Sequence, residues 1–170
     1  MYVYQKHKVF ISFYHHDDQC YKDYIDTYLS RNIINKSVMS GEYDPDNSDE
    51  YIKRLIREDK ISDSSVIVVL IGNNTKDRKH VDWEIYAGLR ESAGLVGIML
   101  PSVNKDADRG YCHRDMPARF ADNLKSGYAS IYDWDTAVYY FDTIIEQAFQ
   151  SRIINRDKIN NTRIQMKYNR

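Results

Sequence analysis

The stretch that decides the fold is Ser65-Val66-Ile67-Val68-Val69-Leu70-Ile71-Gly72. Six apolar residues follow one another here without any polar alternation. A short run of this kind, rich in Val and Ile, is typical of a β-strand buried on both faces, as in a parallel sheet. Helices must then cover the two faces of that sheet.

Similar apolar runs lie on either side of this strand. They predict further strands over residues 8–14, 94–100 and 129–134, with a weak, short strand at 37–39 near an edge of the sheet. Helical spacing separates the runs, most clearly at Val81, Ile85, Gly88 and Leu89. The alternation predicts an α/β, flavodoxin-like three-layer fold with a five-stranded, mainly parallel sheet in the order 2-1-3-4-5.

The remaining helices are predicted from the same spacing and from their first residues. One spans residues 21–29 and is capped by Asp17 or Asp18, and a second begins after Ser48 or Asp49. Residues 116–125 within the long 101–128 connection form a helix with Pro117 near its first turn, and residues 138–149 form the last.

Composition limits the class of protein. The chain has 170 residues, of which 42% are hydrophobic and 29% charged, and this is the composition of one globular domain. A net charge of −1 argues against a dedicated nucleic-acid binder. No apolar run approaches a membrane span, and no signal peptide is evident. Two widely separated cysteines, Cys20 and Cys112, are expected to be free thiols in a reducing cytoplasm.

The C-terminal end differs from the rest in charge. Residues 152–170 contain six basic side chains and one acidic one, so we divide the chain into a domain at 1–152 and a basic tail at 153–170. A solvated, partly frayed tail is one interpretation. The other is an arm that docks on an acidic partner or on a second subunit.

Ligands of doubly wound sheets bind beyond the carboxyl ends of the strands. Neither phosphate-binding glycine motif, G-x-x-x-x-G-K-[ST] or G-x-G-x-x-G, occurs in the chain, and there is no G-x-S-x-G elbow. The run His15-His16-Asp17-Asp18 does not suit a metal, because neighbouring side chains on an extended segment point to opposite sides.

Glu84 is the strongest candidate for chemistry. It lies on the flank of the apolar stripe near the start of its helix, where it faces the crevice at the strand ends. The alternative is a first-turn acid that only complements the helix dipole. Its neighbour Trp83 points away from the core, which predicts either an exposed interface residue or packing beneath the 101–128 connection.

Three segments together resemble the TIR-like domain family, and more narrowly the single-domain ThsB-type proteins of the bacterial Thoeris anti-phage system. They are Lys8-Val9-Phe10-Ile11-Ser12-Phe13, the run from Ile61 to Thr75, and Arg78-x-x-Val81-x-Trp83-Glu84-Ile85. The resemblance covers residues 8 to about 100.

The resemblance implies an enzyme that uses NAD+ as a substrate, with no cofactor and no metal. Such an enzyme cleaves the nicotinamide–ribose bond and makes a cyclic ADP-ribose-type or ADP-ribose-conjugate signal, which activates a separate effector protein. A homo-oligomer in the cytoplasm is expected, without nucleic acid or membrane. Glu84 matches the catalytic glutamate of the family, and the expected substrate-binding residues are Ser12, Phe13, Tyr14, His15, Arg78 and Trp83.

Two other functions remain open from the residues alone. The chain could be a non-catalytic TIR-like scaffold that assembles partners. It could also be a nucleoside glycosyl-transferring enzyme, in which a flavodoxin-like domain presents a glutamate to an N-glycosidic bond. Release of nicotinamide from NAD+ is expected only for the first function.

Overall fold

The computed structural model describes residues 6–37, 47–108 and 110–170. Within these ranges, five parallel strands form one sheet in the order β2-β1-β3-β4-β5. The predicted flavodoxin-like fold class and strand order are therefore confirmed. The strands are β1 (His7–Ser12), β2 (Ile33–Asn35), β3 (Val66–Ile71), β4 (Gly94–Met99) and β5 (Ser130–Asp133).

Five α-helices accompany the strands in the described part of the chain. They are α1 (His15–Tyr24), α2 (Asp49–Leu55), α3 (Lys79–Arg90), α4 (Ala118–Ser126) and α5 (Trp134–Ile154). Two π-helical turns, Ile25–Leu29 and Ile56–Ile61, extend α1 and α2. None of the helices in the described ranges is long and apolar enough to cross a membrane.

Each face of the sheet has its own hydrophobic core. On one face, Phe10 and Ile67 pack with residues of α2, α3 and α4. On the other face, Val68 and Leu70 pack with residues of α1 and α5. Every residue of β3 is buried, because β3 lies at the centre of the sheet with helices on both sides. This burial explains why its sequence lacks polar alternation.

The second strand lies earlier in the chain than predicted. β2 covers Ile33–Asn35, Ser37 follows it outside the strand, and residues 38 and 39 lie outside the described ranges. Residues 40–46, which follow the predicted strand, also lie outside them. An edge strand of three residues, of which Ile34 and Asn35 are exposed, has no apolar run that could mark it in the sequence.

The start of α1 also differs from the prediction. Tyr14 occupies the N-cap position without a side-chain cap, so Asp17 and Asp18 lie inside the first turn and do not cap the helix. At α2, the predicted cap is confirmed, because the Ser48 hydroxyl accepts a hydrogen bond from the Tyr51 amide. Pro117 stands at the N-cap of α4, close to its predicted place.

The basic tail lies along α3 and α4. The Asn161 amide donates to the Tyr86 carbonyl at 3.1 Å. Arg163 forms a two-pronged ion pair with Asp122 of α4, with the shorter N–O distance 2.7 Å. The tail is therefore not frayed, because several of its side chains have specific polar partners on the domain, although most of its residues remain exposed to solvent.

The tail also buries Trp83. The indole Nε1 donates to the Met166 carbonyl at 2.8 Å, and the Met166 amide donates to Asp82 at 2.8 Å. Trp83 is only 1% exposed, so the prediction of an exposed tryptophan is wrong. Helical geometry placed Trp83 away from the main stripe of α3, but a segment more than eighty residues later in the chain covers that face.

We expect Trp83→Ala to lower the free energy of unfolding by about 3 kcal/mol or more, because it empties a fully buried site and leaves the Met166 carbonyl without its donor. Urea denaturation measures this change. Trp134→Ala, which truncates a half-buried indole, serves as the control and should have a smaller effect. A loss below about 1 kcal/mol for Trp83→Ala would contradict the burial of this residue.

Candidate active site

A cleft of about 360 Å³ lies at the carboxyl edge of the sheet, between the residues that follow β1 and the first turns of α3. We call it the Glu84 cleft. Parallel strands bring their carboxyl ends to one edge, so residues far apart in the chain meet there. Its lining includes Phe13, Tyr14, His15, Arg78, His80, Glu84 and Asn169.

Glu84 is a buried acid whose side chain is held by a hydrogen bond from Ser12. It is 4% exposed, and the Ser12 hydroxyl at the end of β1 donates to its Oε2 at 2.5 Å. Burial raises the pKa of Glu84 to about 8, although the hydrogen bond from Ser12 opposes the rise. Burial therefore favours the protonated form of Glu84 in the free protein, whereas a positive charge bound nearby favours the carboxylate.

Aromatic rings form the wall beside Glu84. The rings of Phe13 and His15 lie 4.1 Å apart between centroids, and Phe13 is itself 4% exposed. The Arg78 guanidinium lies 4.2 Å from the centroid of the Tyr14 ring, and its Nε donates to the Asn74 carbonyl. These contacts hold aromatic rings and a cation in the lining of the cleft.

Two of the three histidines in the lining, His15 and His80, are biased toward the neutral form. Burial lowers the pKa of His15 and of His80, so neither imidazole adds positive charge at neutral pH. The Nδ1 of His15 is buried and has no hydrogen-bond partner within the described residues. This nitrogen can therefore accept a hydrogen bond from a bound ligand or donate one to it.

Asn169 belongs to the site but has no local sequence signal. Its side-chain Oδ1 accepts a hydrogen bond from the Lys79 amide at 2.9 Å and so caps the start of α3. Next to it, the Arg170 amide donates to the Asp77 carbonyl. The end of the chain thus forms part of the cleft lining, although it lies ninety residues from α3.

A second buried acid, Asp18, lies at the same edge of the sheet without lining the cleft. Its carboxylate contacts Gly72, where an added Cβ would meet it at 2.6 Å, and accepts a hydrogen bond from the Thr75 hydroxyl at 3.3 Å. Burial raises its pKa to about 6. The glycine directly after β3 is the only sequence feature that hints at this approach.

The structure brings most of the sequence-predicted site residues together. The cleft is lined by Phe13, Tyr14, His15, Arg78 and Glu84. Ser12 does not line it but donates a hydrogen bond to Glu84. Trp83 is the exception. It lies on a different face of α3, buried under the tail, because successive residues of a helix point about 100° apart.

Metal ligands are not gathered near the cleft. In the described ranges, no three or more His, Cys, Asp or Glu side chains are close enough together to hold an ion. Cys20 and Cys112 are both exposed and unpaired, as the sequence predicted.

Comparison with known proteins gives one family. The family model described as "Thoeris protein ThsB, TIR-like domain" matches residues 10–105, which is more than half of the chain and includes Ser12, Arg78 and Glu84. The chain is also similar to the TIR domains in the structure of the activated Roq1 resistosome directly recognizing the pathogen effector XopQ. That match has a TM-score of 0.42 and 14% identity, and it covers 84% of each chain. No curated protein matches the chain.

Proposed function

Since the chain belongs to the TIR-like domain family of Thoeris ThsB proteins, we propose that it is an enzyme that cleaves the nicotinamide–ribose bond of NAD+. The product is a cyclic ADP-ribose-type or ADP-ribose-conjugate signal of anti-phage defence. A separate effector protein receives this signal. The observation that carries the proposal is the buried Glu84, held by Ser12 in a cleft walled by aromatic rings and a guanidinium.

The chemistry requires one well-placed carboxylate. The bond between the nicotinamide nitrogen and ribose C1′ breaks, and its electron pair returns to the pyridinium, which leaves as neutral nicotinamide. The ribose then carries oxocarbenium character, which an ionised Glu84 stabilises while it accepts hydrogen bonds from ribose hydroxyls. Water, or a nucleophilic atom of the same molecule or of a conjugating one, forms the new bond to C1′, and where that atom carries a proton, the proton passes to solvent.

The raised pKa of Glu84 fits a cationic substrate. Free Glu84 keeps its proton at neutral pH because the buried site disfavours the isolated charge. A bound nicotinamide ring brings a positive charge, and an opposite charge nearby favours the carboxylate. Binding of NAD+ is therefore expected to release the proton of Glu84. The negative charge of the carboxylate then forms beside the ribose carbon at which the oxocarbenium will develop.

The lining of the cleft suits the nicotinamide half of NAD+, which has an aromatic ring at one end and phosphate at the other. Phe13 and His15 offer ring faces to nicotinamide, and Arg78 offers a cation to the pyrophosphate. At about 360 Å³, the cleft is near the small end of ligand cavities, which span roughly 300–1,000 Å³. The adenosine half of NAD+ therefore extends beyond it, and a neighbouring copy in a homo-oligomer can complete the site.

The direct test is incubation of the purified protein, or of extracts from infected cells if a phage component is required, with NAD+. We expect free nicotinamide, together with an ADP-ribose-derived product that mass spectrometry identifies. Extracts in which the protein is present and folded but NAD+ is not consumed would contradict the proposal and favour the scaffold function. Cleavage of nucleosides in place of NAD+ would favour the glycosyl-transferring enzyme.

Phe13→Ala tests the wall beside Glu84. We expect a KM for NAD+ that is higher by about tenfold with a smaller change in kcat, because the lost ring contacts bind the substrate and the transition state alike. Steady-state kinetics at several NAD+ concentrations separates the two constants. An unchanged KM would remove Phe13 from the substrate site.

A further inference from the structure

A second and larger cleft, of about 500 Å³, lies on another face of α3. Helix α2, its π-helical extension, α3 and the tail form its sides. Trp83, Tyr86, Ala87 and Arg90 face it from α3 at the i, i+3, i+4, i+7 spacing of one helix face. We call it the basic cleft, because four cations line it, Lys53, Arg54, Arg57 and Arg90, against one acid, Glu50.

Two of the four cations lack an acidic partner. Within the described ranges, Arg54 and Arg90 form no ion pair or hydrogen bond, and Arg54 lies over the Tyr51 ring at 5.3 Å. Lys53 is 3.4 Å from Glu50, whose side chain is 87% exposed, and lies 4.8 Å over the Trp83 ring. A concave surface with uncompensated positive charge concentrates anions.

The remaining cation is also available to a ligand. Arg57 contacts Glu58 at 3.3 Å, and both side chains are about half exposed. An exposed pair of this kind contributes little stability, so its guanidinium can exchange one anionic partner for another. The basic cleft therefore offers three guanidiniums and one ammonium to a single anion.

We propose that the basic cleft binds a phosphate-bearing small molecule of nucleotide size. Guanidinium groups match phosphate oxygens in a two-pronged geometry, and three of them line this cleft. Tyr51, whose ring lies beside Arg54, and Tyr86 also line the cleft, and a base can pack on their aromatic rings. The volume is that of a small-molecule site and falls within the usual range of such cavities.

A ligand in the basic cleft touches the same elements that frame the Glu84 cleft. Trp83 lines the basic cleft one residue before Glu84, and Gln165 lines it four residues before Asn169. The binding itself does not rest on the proposed NAD+ chemistry. A protein that fails to cleave NAD+ can still bind phosphate here, and the reverse also holds.

The two tryptophans of the chain allow a direct test. Trp83 lines the basic cleft, whereas Trp134 packs against Tyr21 and Tyr24. We expect a titration of ¹⁵N-labelled protein with ADP to shift the Trp83 indole N–H resonance in a saturable way and to leave that of Trp134 unchanged. Adenosine should produce no shift, because it lacks phosphate. A Trp83 resonance that is unmoved by ADP, or moved equally by adenosine, would overturn the proposal.

Variants locate the binding. Arg54→Ala combined with Arg90→Ala should weaken ADP binding by roughly tenfold or more, since two charge-assisted phosphate contacts are lost. Both side chains are exposed, so the fold should be kept, and circular dichroism checks this. Arg78→Ala is the matched control, because it removes one cation beside the Glu84 cleft and should leave the Trp83 shift intact. Equal affinity in the double variant and the wild type would place ADP elsewhere and overturn the proposal.

Inorganic pyrophosphate distinguishes two sources of the phosphate. Weaker binding of pyrophosphate than of ADP supports a nucleotide, with the tyrosine rings contributing. Binding as tight as that of ADP supports the phosphate site with an inorganic or other polyphosphate ligand. In either case, the double arginine variant must lose the response.

Discussion

Glu84→Gln is expected to slow nicotinamide release from NAD+ by at least about a hundredfold, without loss of the fold. The change keeps the shape of the side chain and its contact with Ser12 but removes the charge that faces the developing oxocarbenium. The amide also fits a site in which the native acid is already neutral in the free protein. The measurements are the rate of nicotinamide release and the circular dichroism spectrum of the variant.

Asp18→Asn is the matched control for this experiment. Asp18 is also a buried acid at the carboxyl edge of the sheet, with a pKa raised to about 6, but it does not line the Glu84 cleft. Its amide variant should release nicotinamide at a rate within a few-fold of the wild type. A folded Glu84→Gln protein that released nicotinamide as fast as Asp18→Asn would refute the catalytic assignment of Glu84.

The parts of the fold that the sequence predicts are those set by local pattern. The unbroken apolar run of β3 predicts a central strand, because a strand buried on both faces has no exposed position for a polar residue. The apolar stripe of α3 predicts a helix, because one face of that helix packs on the sheet. The flank position of Glu84 follows from the same helical geometry. Together with the strand order, these patterns place Glu84 near the end of β1.

The parts that the sequence does not predict depend on contacts between distant segments. Asn169 caps α3, and the Met166 carbonyl accepts from Trp83, across more than eighty residues. The tail that makes these contacts has a polar and basic sequence, and such a composition predicts solvent exposure. The predicted position of β2 was a few residues too late for a different reason, since a three-residue edge strand has too few residues to show a period.

The burial of Arg119 is a further feature that the sequence does not predict. This arginine is 0% exposed, donates to Asp82 at 2.8 Å from Nε, and also contacts Asn161 of the tail. An arginine on a predicted helix is ordinarily taken as solvent-exposed. Its ion pair becomes visible only once α3, α4 and the tail are placed together.

The stability of the protein is expected to fall with rising pH because of Glu84, and Glu84→Gln should remove this dependence. The pKa of Glu84 is about 8 in the folded protein against 4.5 for the ordinary group. Between these values the folded protein binds a proton that the unfolded chain has released, so this contribution is full below about pH 4.5 and is lost as pH rises to about 8. At about 1.4 kcal/mol per pH unit, the loss amounts to a few kcal/mol.

Urea denaturation of wild type and Glu84→Gln at intervals from about pH 5 to about pH 9 measures the effect. The variant should gain stability relative to the wild type throughout this range up to about pH 8, and the difference should then level off. For Asp18→Asn, the corresponding difference should level off near pH 6, because the pKa of Asp18 is lower. Parallel curves for wild type and Glu84→Gln would show that Glu84 titrates normally. If the difference in the free energy of unfolding between Glu84→Gln and wild type widens with pH, and the variant has lost activity, then the fold retains a destabilising acid for its chemistry.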